Sequence, residues 1–329
     1  MSARRYGVGV WAFGNLGDRF LLDGYRPDAP ADLETTIRSA AAVPHLHGLE
    51  VNVPIHTREV GVDRLGRLLS DAGLACLALG VEVTADARWR WGSLTSADPD
   101  VRADAIAVHK EAMDAAAELG AGMVNSWLGQ DGHDLAFQQE YRASWDRLVE
   151  GYREVARHRP DVRLALEFKP REPRVRSIVP TTGMALLAAQ ETGESNVGVT
   201  LDVGHALHAG ESMAQSAVLA ARYGRLFHLH FNDNGRGWDD DLPVGAVHTV
   251  EMLELLAWLR ELGYEGAYSL DLFPFREDPA AAIGHSIEVL RGLERLLDRL
   301  GGAALVRDLR QEDALKLHRR IAAAMLPSD

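Results

Sequence analysis

Residues 162–202 read VRLALEFKPREPRVRSIVPTTGMALLAAQETGESNVGVTLD, which contains two short apolar runs separated by a helical segment. The runs Val162–Phe168 and Val197–Asp202 have the length and the Val/Leu content of buried strands. The segment Thr182–Glu191 has the composition of a helix. Two strands that are joined through a helix run parallel, so this stretch predicts a βαβ unit. Because the runs are short, largely apolar and joined through helices, we expect the sheet to be buried on both faces.

The same alternation of strand and helix continues along the whole chain. We predict six further strands, at Tyr6–Phe13, His47–Pro54, Leu74–Val83, Gly122–Trp127, Leu226–Phe231 and Ala267–Leu272. The predicted helices between and after them cover Ala31–Ala42, Val62–Ala72, Asp98–Leu119, Asp134–Arg157, Ser212–Tyr223, Thr249–Leu262 and Pro279–Leu297. Eight such units favour an α/β fold in which one sheet closes into a (β/α)8 TIM barrel, rather than an open sheet.

No linker rich in Pro, Ser or Gly divides the chain. We therefore predict one catalytic barrel domain over residues 1–298 and a short C-terminal helical extension over residues 299–329. The extension is expected to contain one amphipathic helix, Ala303–Met325, which packs on the barrel or on a neighbouring subunit.

Composition excludes several classes of function. Lys and Arg total 35 against 48 Asp and Glu, and the resulting net charge of −13 argues against a nucleic-acid partner. The single cysteine, Cys76, excludes an internal disulfide and a cysteine zinc site. No apolar run approaches the roughly 18–20 residues of a membrane span, and Met1–Tyr6 leads into no signal-peptide stretch. We expect a cytoplasmic protein that does not associate with membranes.

Groups that can bind a divalent cation stand at the ends of four successive predicted strands. In a TIM barrel these ends meet at the face that carries the active site. Any one group alone is more often a cap or an ion-pair partner, but four in succession favour a common site. Carboxylates mixed with imidazole favour Mg²⁺, Mn²⁺ or Co²⁺ over a structural zinc. The candidate ligands are Glu167, Asp202, His230 and Asp271.

A second acidic cluster follows the seventh strand, in Trp238-Asp239-Asp240-Asp241. Such a triplet is usually solvated, but this one lies on the rim where the first candidate ligands end. Asp239 and Asp241, two residues apart, can point to the same side of an extended loop and form a second metal position with His205. Trp11 and Trp127, at the ends of the first and fourth strands, are either core residues or walls of a substrate site.

Several segments, in chain order, resemble the xylose isomerase family of metal-dependent aldose–ketose isomerases, and together they span about residues 6–290. The most specific is Glu167-Phe168-Lys169-Pro170-Arg171-Glu172-Pro173-Arg174, which is similar to the family's E-P-K-P-x-E-P-R motif. The remaining matching segments are Val10–Gly14, Gly92–Ser96, Ala117–Ala121, Ser126–Gly132, Trp238–Pro243 and Asp271–Arg276. The seventh-strand histidine, His230, looks more like that of the related L-rhamnose isomerases.

The resemblance implies two divalent metal ions per subunit, of Mg, Mn or Co. The first would be held by Glu167, Asp202, His230 and Asp271, and the second by Asp202, His205, Asp239 and Asp241.

The resemblance also implies roles for other residues. Lys169 would hydrogen-bond the carbonyl oxygen of the sugar, while Trp11 and Trp127 would wall the path of a hydride between C1 and C2. We predict Lys169, Asp239 and His56 as catalytic residues, His56 being the candidate for ring opening because it follows the second strand. Trp11, Trp127, Lys169 and His205 are the predicted substrate-binding residues.

The leading hypothesis is an isomerase of an unphosphorylated aldose, D-xylose first, acting on a small-molecule sugar as a homo-oligomer (dimer or tetramer). A second is a single-metal ketose 3-epimerase, or a related epimerase or dehydratase, on the same barrel. A metal-dependent phosphodiesterase acting on DNA needs a basic groove, against which the net charge of −13 argues. A non-catalytic sugar-binding barrel is the remaining alternative. Metal content separates them: two ions for the isomerase, one for the epimerase and three zincs for the nuclease.

Overall fold

Eight parallel strands close into a barrel, as the sequence predicts. The structure is a computed structural model that describes residues 4–30, 32–307 and 309–326. Neighbouring strands follow chain order around the barrel, and β1 closes it by pairing with both β2 and β8, so that Gly7 lies opposite Gly48 and Ser269. The strands are β1 (Tyr6–Gly9), β2 (Gly48–Val53), β3 (Ala75–Val81), β4 (Met123–Trp127), β5 (Arg163–Glu167), β6 (Val197–Asp202), β7 (Leu226–Phe231) and β8 (Tyr268–Leu270).

Helices follow the strands and cover the barrel. Some of them begin with a side-chain cap: Asp98 accepts a hydrogen bond from the Asp100 N–H at the start of α4, next to Pro99. The helices are α1 (Leu33–Ala41), α2 (Ile55–Val60), α3 (Val62–Asp71), α4 (Pro99–Glu118), α5 (Tyr141–His158), α6 (Thr182–Glu191), α7 (Val203–His208), α8 (Met213–Arg222), α9 (Thr249–Glu261), α10 (Pro279–Leu300), α11 (Ala304–Arg307) and α12 (Ala314–Met325).

The two faces of the strands differ in chemistry. In β7, Leu229 and Phe231 belong to the apolar core, whereas His228 and His230 bond to groups from other strands across the barrel. This period of two follows from the pleat of a strand, which turns successive side chains to opposite faces. The barrel interior is therefore polar at this level, rather than filled by branched aliphatic residues as in most TIM barrels.

Several predicted boundaries are wrong. The strand predicted over Tyr6–Phe13 ends at Gly9 and continues as a 3-10 turn, Val10–Phe13. The helix predicted from Asp134 begins at Tyr141, because Phe137 has a left-handed φ of 68° and Glu140 caps the helix by accepting a hydrogen bond from the Ala143 N–H.

At the C-terminal end, the single predicted helix Ala303–Met325 is interrupted. It consists of α11, a 3-10 turn at Gln311–Asp313, and α12. The division at residues 298 and 299 falls inside the last turn of α10 and stays a prediction. The predicted elements do not include α2, α7, a 3-10 turn at Ala87–Trp89, or an antiparallel pair of short strands formed by Gly132–His133 and Arg176–Ser177. Among the described residues, no helix is long and apolar enough to cross a membrane.

The predicted helix residue Ala31 lies outside the described residues, as do Met1–Ala3, Asp308 and Pro327–Asp329 of the predicted domains.

A buried carboxylate fastens the loop after β4 to the segment before α4. Asp131 is fully buried and accepts four hydrogen bonds, from the N–H and hydroxyl groups of Ser93 and Thr95, at 2.5–2.9 Å. These four donors hold the carboxylate in place. If the Asp131 side chain is removed, each donor loses the acceptor that it has among the described residues. Burial raises the pKa of Asp131, and the hydrogen bonds from Ser93 and Thr95 act against that rise.

We expect Asp131→Ala to destabilise the fold by about 3 kcal/mol, because it leaves several buried donors without an acceptor. Urea unfolding measures the loss. Asp161→Ala, which removes the same side chain from an exposed ion pair with Arg159, is the matched control and should leave the midpoint unchanged. Equal midpoints for the two variants would contradict the role given to Asp131.

Candidate active site at the carboxyl ends of the strands

Four predicted ligands converge where β5 to β8 end. Each of Glu167, Asp202, His230 and Asp271 offers one ligand atom, and these atoms all lie within 4.8 Å of one another. His230 Nδ1 is 3.3 Å from Glu167 Oε1 and 3.4 Å from Asp271 Oδ2. We refer to these four residues as cluster 1. Three carboxylates and an imidazole at this spacing are a donor set suited to Mg²⁺, Mn²⁺ or Co²⁺.

Amide side chains fix two of these carboxylates. Asn125 donates from Nδ2 to Glu167 Oε2 at 2.6 Å and accepts from the hydroxyl of Thr200 at 2.6 Å. Asn232 donates from Nδ2 to both oxygens of Asp202, at 3.2 and 3.0 Å. Neither amide is among the predicted site residues. The available signal is the place of each amide in the sequence: Asn125 lies within β4, and Asn232 directly follows β7.

A second group of ligand atoms shares Asp202 with the first. Asp202, His205 and Asp239 also have atoms within 4.8 Å of one another, and they form cluster 2. His205 Nε2 lies 3.0 Å from Asp239 Oδ2, and His205 Nδ1 lies 3.3 Å from Glu167 Oε1. Asp202 also caps α7 by accepting a hydrogen bond from the His205 N–H at 2.8 Å, which fixes the two residues relative to each other.

The fourth predicted ligand of this second position, Asp241, lies beside cluster 2 rather than within it. Of the described residues, only Asp202, His205 and Asp239 make up that tight group. Asp241 is part-buried and its Oδ1 accepts a hydrogen bond from Asn232 Nδ2 at 3.3 Å. Its backbone φ of 47° turns the loop at this point. The structure thus brings three of the four predicted residues into one group and the fourth to its edge.

The loop that carries Asp239–Asp241, which we call the acidic loop, is closed at its base. Asp233 and Leu242 form an antiparallel backbone bridge, with N–H···O distances of 3.0 and 2.8 Å. The buried carboxylate of Asp233 accepts from the N–H groups of Val247 and His248, and from the His248 ring at 2.7 Å. These contacts hold the ends of the loop that carries Asp239, and none of them involves a predicted site residue.

Lys169 lies between the acidic loop and the wall of the cavity. Its Nζ is 2.8 Å from Asp239 Oδ2 and also pairs with Glu172, three residues along the chain. The ammonium sits 5.2 Å from the centre of the Trp127 ring, within the range of a cation–π contact. Only 8% of Lys169 is exposed, so its charge acts in a medium of low dielectric constant.

The two predicted tryptophans face the site and are set by their neighbours. Trp11 Nε1 donates to Asp271 Oδ1 at 2.6 Å. Both rings lie over glycines: a Cβ atom at Gly9 would come within 2.1 Å of the Trp11 ring, and one at Gly129 within 2.5 Å of the Trp127 ring. Larger residues at either glycine would displace the indole that packs there.

The pKa values of two carboxyl groups of cluster 1 shift in opposite directions. Burial and the nearby carboxylates of Asp239, Glu167 and Asp271 raise the pKa of Asp202 to about 7, against the effect of His205. Burial would also raise the pKa of Glu167, but the imidazoles of His230 and His205 outweigh it and lower that pKa to about 2.

The pKa values of His205 on α7 and of Asp241 in the acidic loop are raised for similar reasons. Burial would lower the pKa of His205, but the carboxylates of Asp202 and Asp239 raise it to about 9. Burial and the charges of Asp239 and Asp271 hold the pKa of Asp241 well above its ordinary value. The protein's own cations therefore do not fully compensate this group of acids, as expected where a further cation binds.

The orphaned polar atoms of the site agree with a bound cation. His205 Nδ1 and Asn232 Oδ1 are buried, and no group in the described ranges hydrogen-bonds to either of them. A buried nitrogen or oxygen left without a partner is costly unless an ion or water satisfies it. His205 Nδ1 is also surrounded by carboxylates, so the residues present fit a divalent cation.

The site opens into a cavity of about 780 Å³. Among its lining residues are both tryptophans, Lys169 and the ligands Glu167, His205, His230, Asp239, Asp241 and Asp271. His56 is not among them. It lies on α2, and its Nδ1 accepts a hydrogen bond from the Asn52 N–H at 2.9 Å. Asn52, not His56, lines the cavity at the end of β2, so the structure does not bring His56 to the other predicted catalytic residues.

Comparisons with known proteins agree with this fold. A solved L-ribulose 3-epimerase superposes with a TM-score of 0.69 at 19% identity, covering 91% of this chain and 98% of that one. A D-allulose 3-epimerase from Methylomonas sp., solved with D-allulose, superposes with a TM-score of 0.68 at 17% identity, covering 88% and 98%. At such low identity these likenesses show the TIM-barrel fold alone.

Comparison of sequences is more specific. The xylose isomerase of Thermus thermophilus is 29% identical over 286 residues, which cover 83% of this chain and 74% of that protein. The profile of the xylose isomerase-like TIM barrel family matches residues 44–293. That match covers most of the barrel, including every residue of clusters 1 and 2, and the chain belongs to the xylose isomerase-like TIM barrel family.

Proposed function

We propose that the protein is an aldose–ketose isomerase that interconverts an unphosphorylated aldose, D-xylose first, with its ketose by a 1,2-hydride shift assisted by two divalent cations. The observation that carries the proposal is the pair of donor sets that share Asp202 beside one cavity, with the Lys169 ammonium next to the second set. The likeness in sequence to proteins named xylose isomerase supports the same activity.

Cluster 1 would hold one cation, and Asp202, His205 and Asp239, with Asp241 at their edge, would hold the other. When bound, two such cations supply Lewis-acid stabilisation of negative charge on adjacent sugar oxygens. The protein's part is to keep the donors in place, which Asn125, Asn232 and the bridge at the base of the acidic loop do.

The remaining chemistry is assigned to Lys169 and Asp239. In the conversion of aldose to ketose, hydrogen leaves C2 with its electron pair and bonds to C1. The proton of the C2 hydroxyl leaves as C2 becomes a carbonyl, and a proton is gained by the oxygen on C1. Lys169 Nζ donates a hydrogen bond to the oxygen on C1, where negative charge develops. Asp239 accepts the proton of the C2 hydroxyl, and this proton returns to the oxygen on C1 through Lys169, whose Nζ lies 2.8 Å from Asp239 Oδ2.

Trp11 and Trp127 contribute by excluding water. Each ring is fixed on a glycine, and each lines the cavity next to a charged group of the site. A dry cavity strengthens the electrostatic effect of Lys169 and prevents exchange of the migrating hydrogen with solvent.

The charges around the cavity favour a neutral substrate. Its lining includes Asp18, Glu82, Glu172 and Glu277 in addition to the ligands, whereas Arg276 is the one basic residue of the lining besides Lys169 and the histidines, within the described part of the chain. A phosphorylated sugar would be repelled by this excess of carboxylates unless cations offset it.

A single-metal ketose 3-epimerase is the second candidate. Two observations favour it. Lys169 already neutralises Asp239, and Asp241 lies outside the tight group. Cluster 2 therefore has fewer free donors than cluster 1. An epimerase would remove a proton next to a ketone and add a different proton from the opposite face, so the hydrogen on that carbon would exchange with solvent.

A chelator-stripped sample incubated in D2O with Mg²⁺, Mn²⁺ or Co²⁺ distinguishes the two candidates. We expect metal-dependent conversion of one of D-xylose, D-glucose, L-rhamnose, D-ribose or L-arabinose to its ketose, without solvent deuterium at C1, because a hydride moves directly between the two carbons. Chromatography identifies the ketose and mass spectrometry its deuterium. Reaction of ketoses alone, with deuterium gained at C3, would show the epimerase instead.

Metal content is the second prediction. We expect two ions of Mn²⁺ or Co²⁺ per chain by calorimetry and elemental analysis, and one ion in Asp239→Asn, since the amide weakens cluster 2 but leaves cluster 1 intact. The isomerase activity of that variant should fall by about 10² or more. The matched control is Asp240→Asn, an exposed neighbour outside both clusters, which should keep both ions. A wild-type content of one ion would exclude the two-metal reaction.

The third prediction concerns Lys169. We expect Lys169→Met to lower kcat by about 10²–10³, because it removes a donor that acts on developing charge, while KM changes little. Cluster 2 should bind its ion at least as tightly, since Asp239 loses a competing cation. Lys110→Met, on the outer surface where Lys110 pairs with Glu154, is the control for loss of a lysine. Unchanged turnover in Lys169→Met would remove Lys169 from the reaction.

A further inference from the structure

A hydrogen-bonded group of polar residues lies in the barrel interior, on the side of the His230 ring that faces away from the three carboxylates of cluster 1. Its centre is Glu50 of β2, whose side chain is fully buried. Glu50 Oε1 accepts from His228 Nε2 at 2.7 Å and from the hydroxyl of Ser269, and Glu50 Oε2 lies 3.1 Å from His230 Nε2. None of Glu50, His228 and Ser269 has a role in the proposed reaction.

His230 connects this group to cluster 1 through its two ring nitrogens. Nε2 faces Glu50, and Nδ1 faces Glu167 and Asp271 at 3.3 and 3.4 Å. An ionised carboxylate only accepts hydrogen bonds, so the nitrogen that faces Glu50 must carry a proton. In a neutral imidazole the other nitrogen then has a free lone pair, directed at the carboxylates of cluster 1.

We propose that Glu50 is a positioning residue of the metal site: it holds the proton of His230 on Nε2 and so keeps Nδ1 free to bind the cation of cluster 1. The inference rests on the proposed function, because it needs a cation at cluster 1. Histidines that bind metals commonly donate their second N–H to a carboxylate, which fixes the ring and its tautomer. Here that carboxylate comes from a strand on another side of the barrel.

The surroundings of Glu50 agree with this role. Ser269 and His228 occupy one of its oxygens, which leaves the other oxygen to His230. The His228 and His230 rings meet edge to face, with centroids 4.9 Å apart, so His228 also limits rotation of the His230 ring. Glu50 and His228 thus contact the His230 ring on the side away from the carboxylates of cluster 1.

A third cation site and a purely structural role are the alternatives for this group. Ligand atoms of Glu50, His228 and His230 lie within 4.8 Å of one another, so a third cation could bind there by replacing the hydrogen bonds between them. If the group serves only to pack the barrel, its loss would lower stability and leave metal affinity unchanged.

Glu50→Gln separates the three roles with almost no change of shape. The amide has one accepting oxygen and one donating NH2 group, so it cannot accept from both histidine rings through separate oxygens. If its NH2 group faces His230, the ring must accept at Nε2 and carry its proton on Nδ1, where a cation would bind. Ser269→Ala keeps both contacts between Glu50 and the histidines. Ser126→Ala removes two buried hydrogen bonds, one with His109 and one with Tyr152, outside both clusters.

The experiment is calorimetric titration of chelator-stripped wild-type protein and the three variants with Mn²⁺, alongside their thermal unfolding. We expect Glu50→Gln to weaken binding at one of two sites by about 10- to 100-fold. Ser126→Ala and Ser269→Ala should remain within about 3-fold of wild type, even where their thermal stability falls as far as that of Glu50→Gln.

Nitrogen NMR of wild-type protein with labelled histidines and bound Mg²⁺ keeps the inference testable if Glu50→Gln does not fold. His230 should show a protonated Nε2 and an unprotonated Nδ1, assigned by comparison with His228→Gln. A protonated Nδ1 would overturn the inference, as would unchanged Mn²⁺ affinity in a folded Glu50→Gln, or a third ion that this substitution removes. Absence of Mn²⁺ binding by wild-type protein would overturn the proposed function as well.

Discussion

Buried negative charge at the ends of β5 to β8 is the constraint on which the rest of the site depends. Glu167, Asp202 and Asp239 are almost entirely shielded from water, and removing each charge from water costs several kcal/mol unless it is compensated. The compensation within the protein comes from His205, His230 and Lys169, which is too little to keep every acid ionised, as the raised pKa values of Asp202 and Asp241 indicate. A divalent cation at cluster 1 or 2 would supply the missing positive charge.

The same constraint explains why the barrel interior is polar. An imidazole that faces three carboxylates needs a fixed orientation, and aliphatic neighbours cannot provide one because they form no directional bonds. Glu50 of β2 provides it, at the cost of the apolar packing that usually fills a TIM barrel. The apolar core lies instead between strands and helices, where Leu229 and Phe231 of β7 pack. One strand thus serves both layers through its period of two.

All eight strands and the closed barrel could be predicted from the sequence, because short, largely apolar runs joined by helices leave few topologies. The errors fall where local backbone geometry decides. Phe137 adopts a left-handed conformation that no composition announces, and the turn at Val10–Phe13 has the apolar content of a strand. That the ligands of clusters 1 and 2 lie close together could be predicted from the rule that parallel strands of a barrel end at one face. Their supports, such as Asn125 and Asn232, depend on which strands become neighbours and on side-chain directions, which sequence spacing does not give.

Asp239 shows how a single contact decides between chemistries on one barrel. Its Oδ2 lies 2.8 Å from Lys169 Nζ and 3.0 Å from His205 Nε2, so it is shared between an ammonium and an imidazole that we propose as a metal ligand. A cation at cluster 2 must compete with the ammonium for this oxygen. If a substrate carbonyl draws the ammonium away, Asp239 becomes available to the cation at the same moment. Substrate and second cation would then bind cooperatively, because breaking the ion pair between Lys169 and Asp239 costs free energy only once when both bind. Glu172, which also pairs with Lys169 Nζ, would keep the ammonium close to the site in that state.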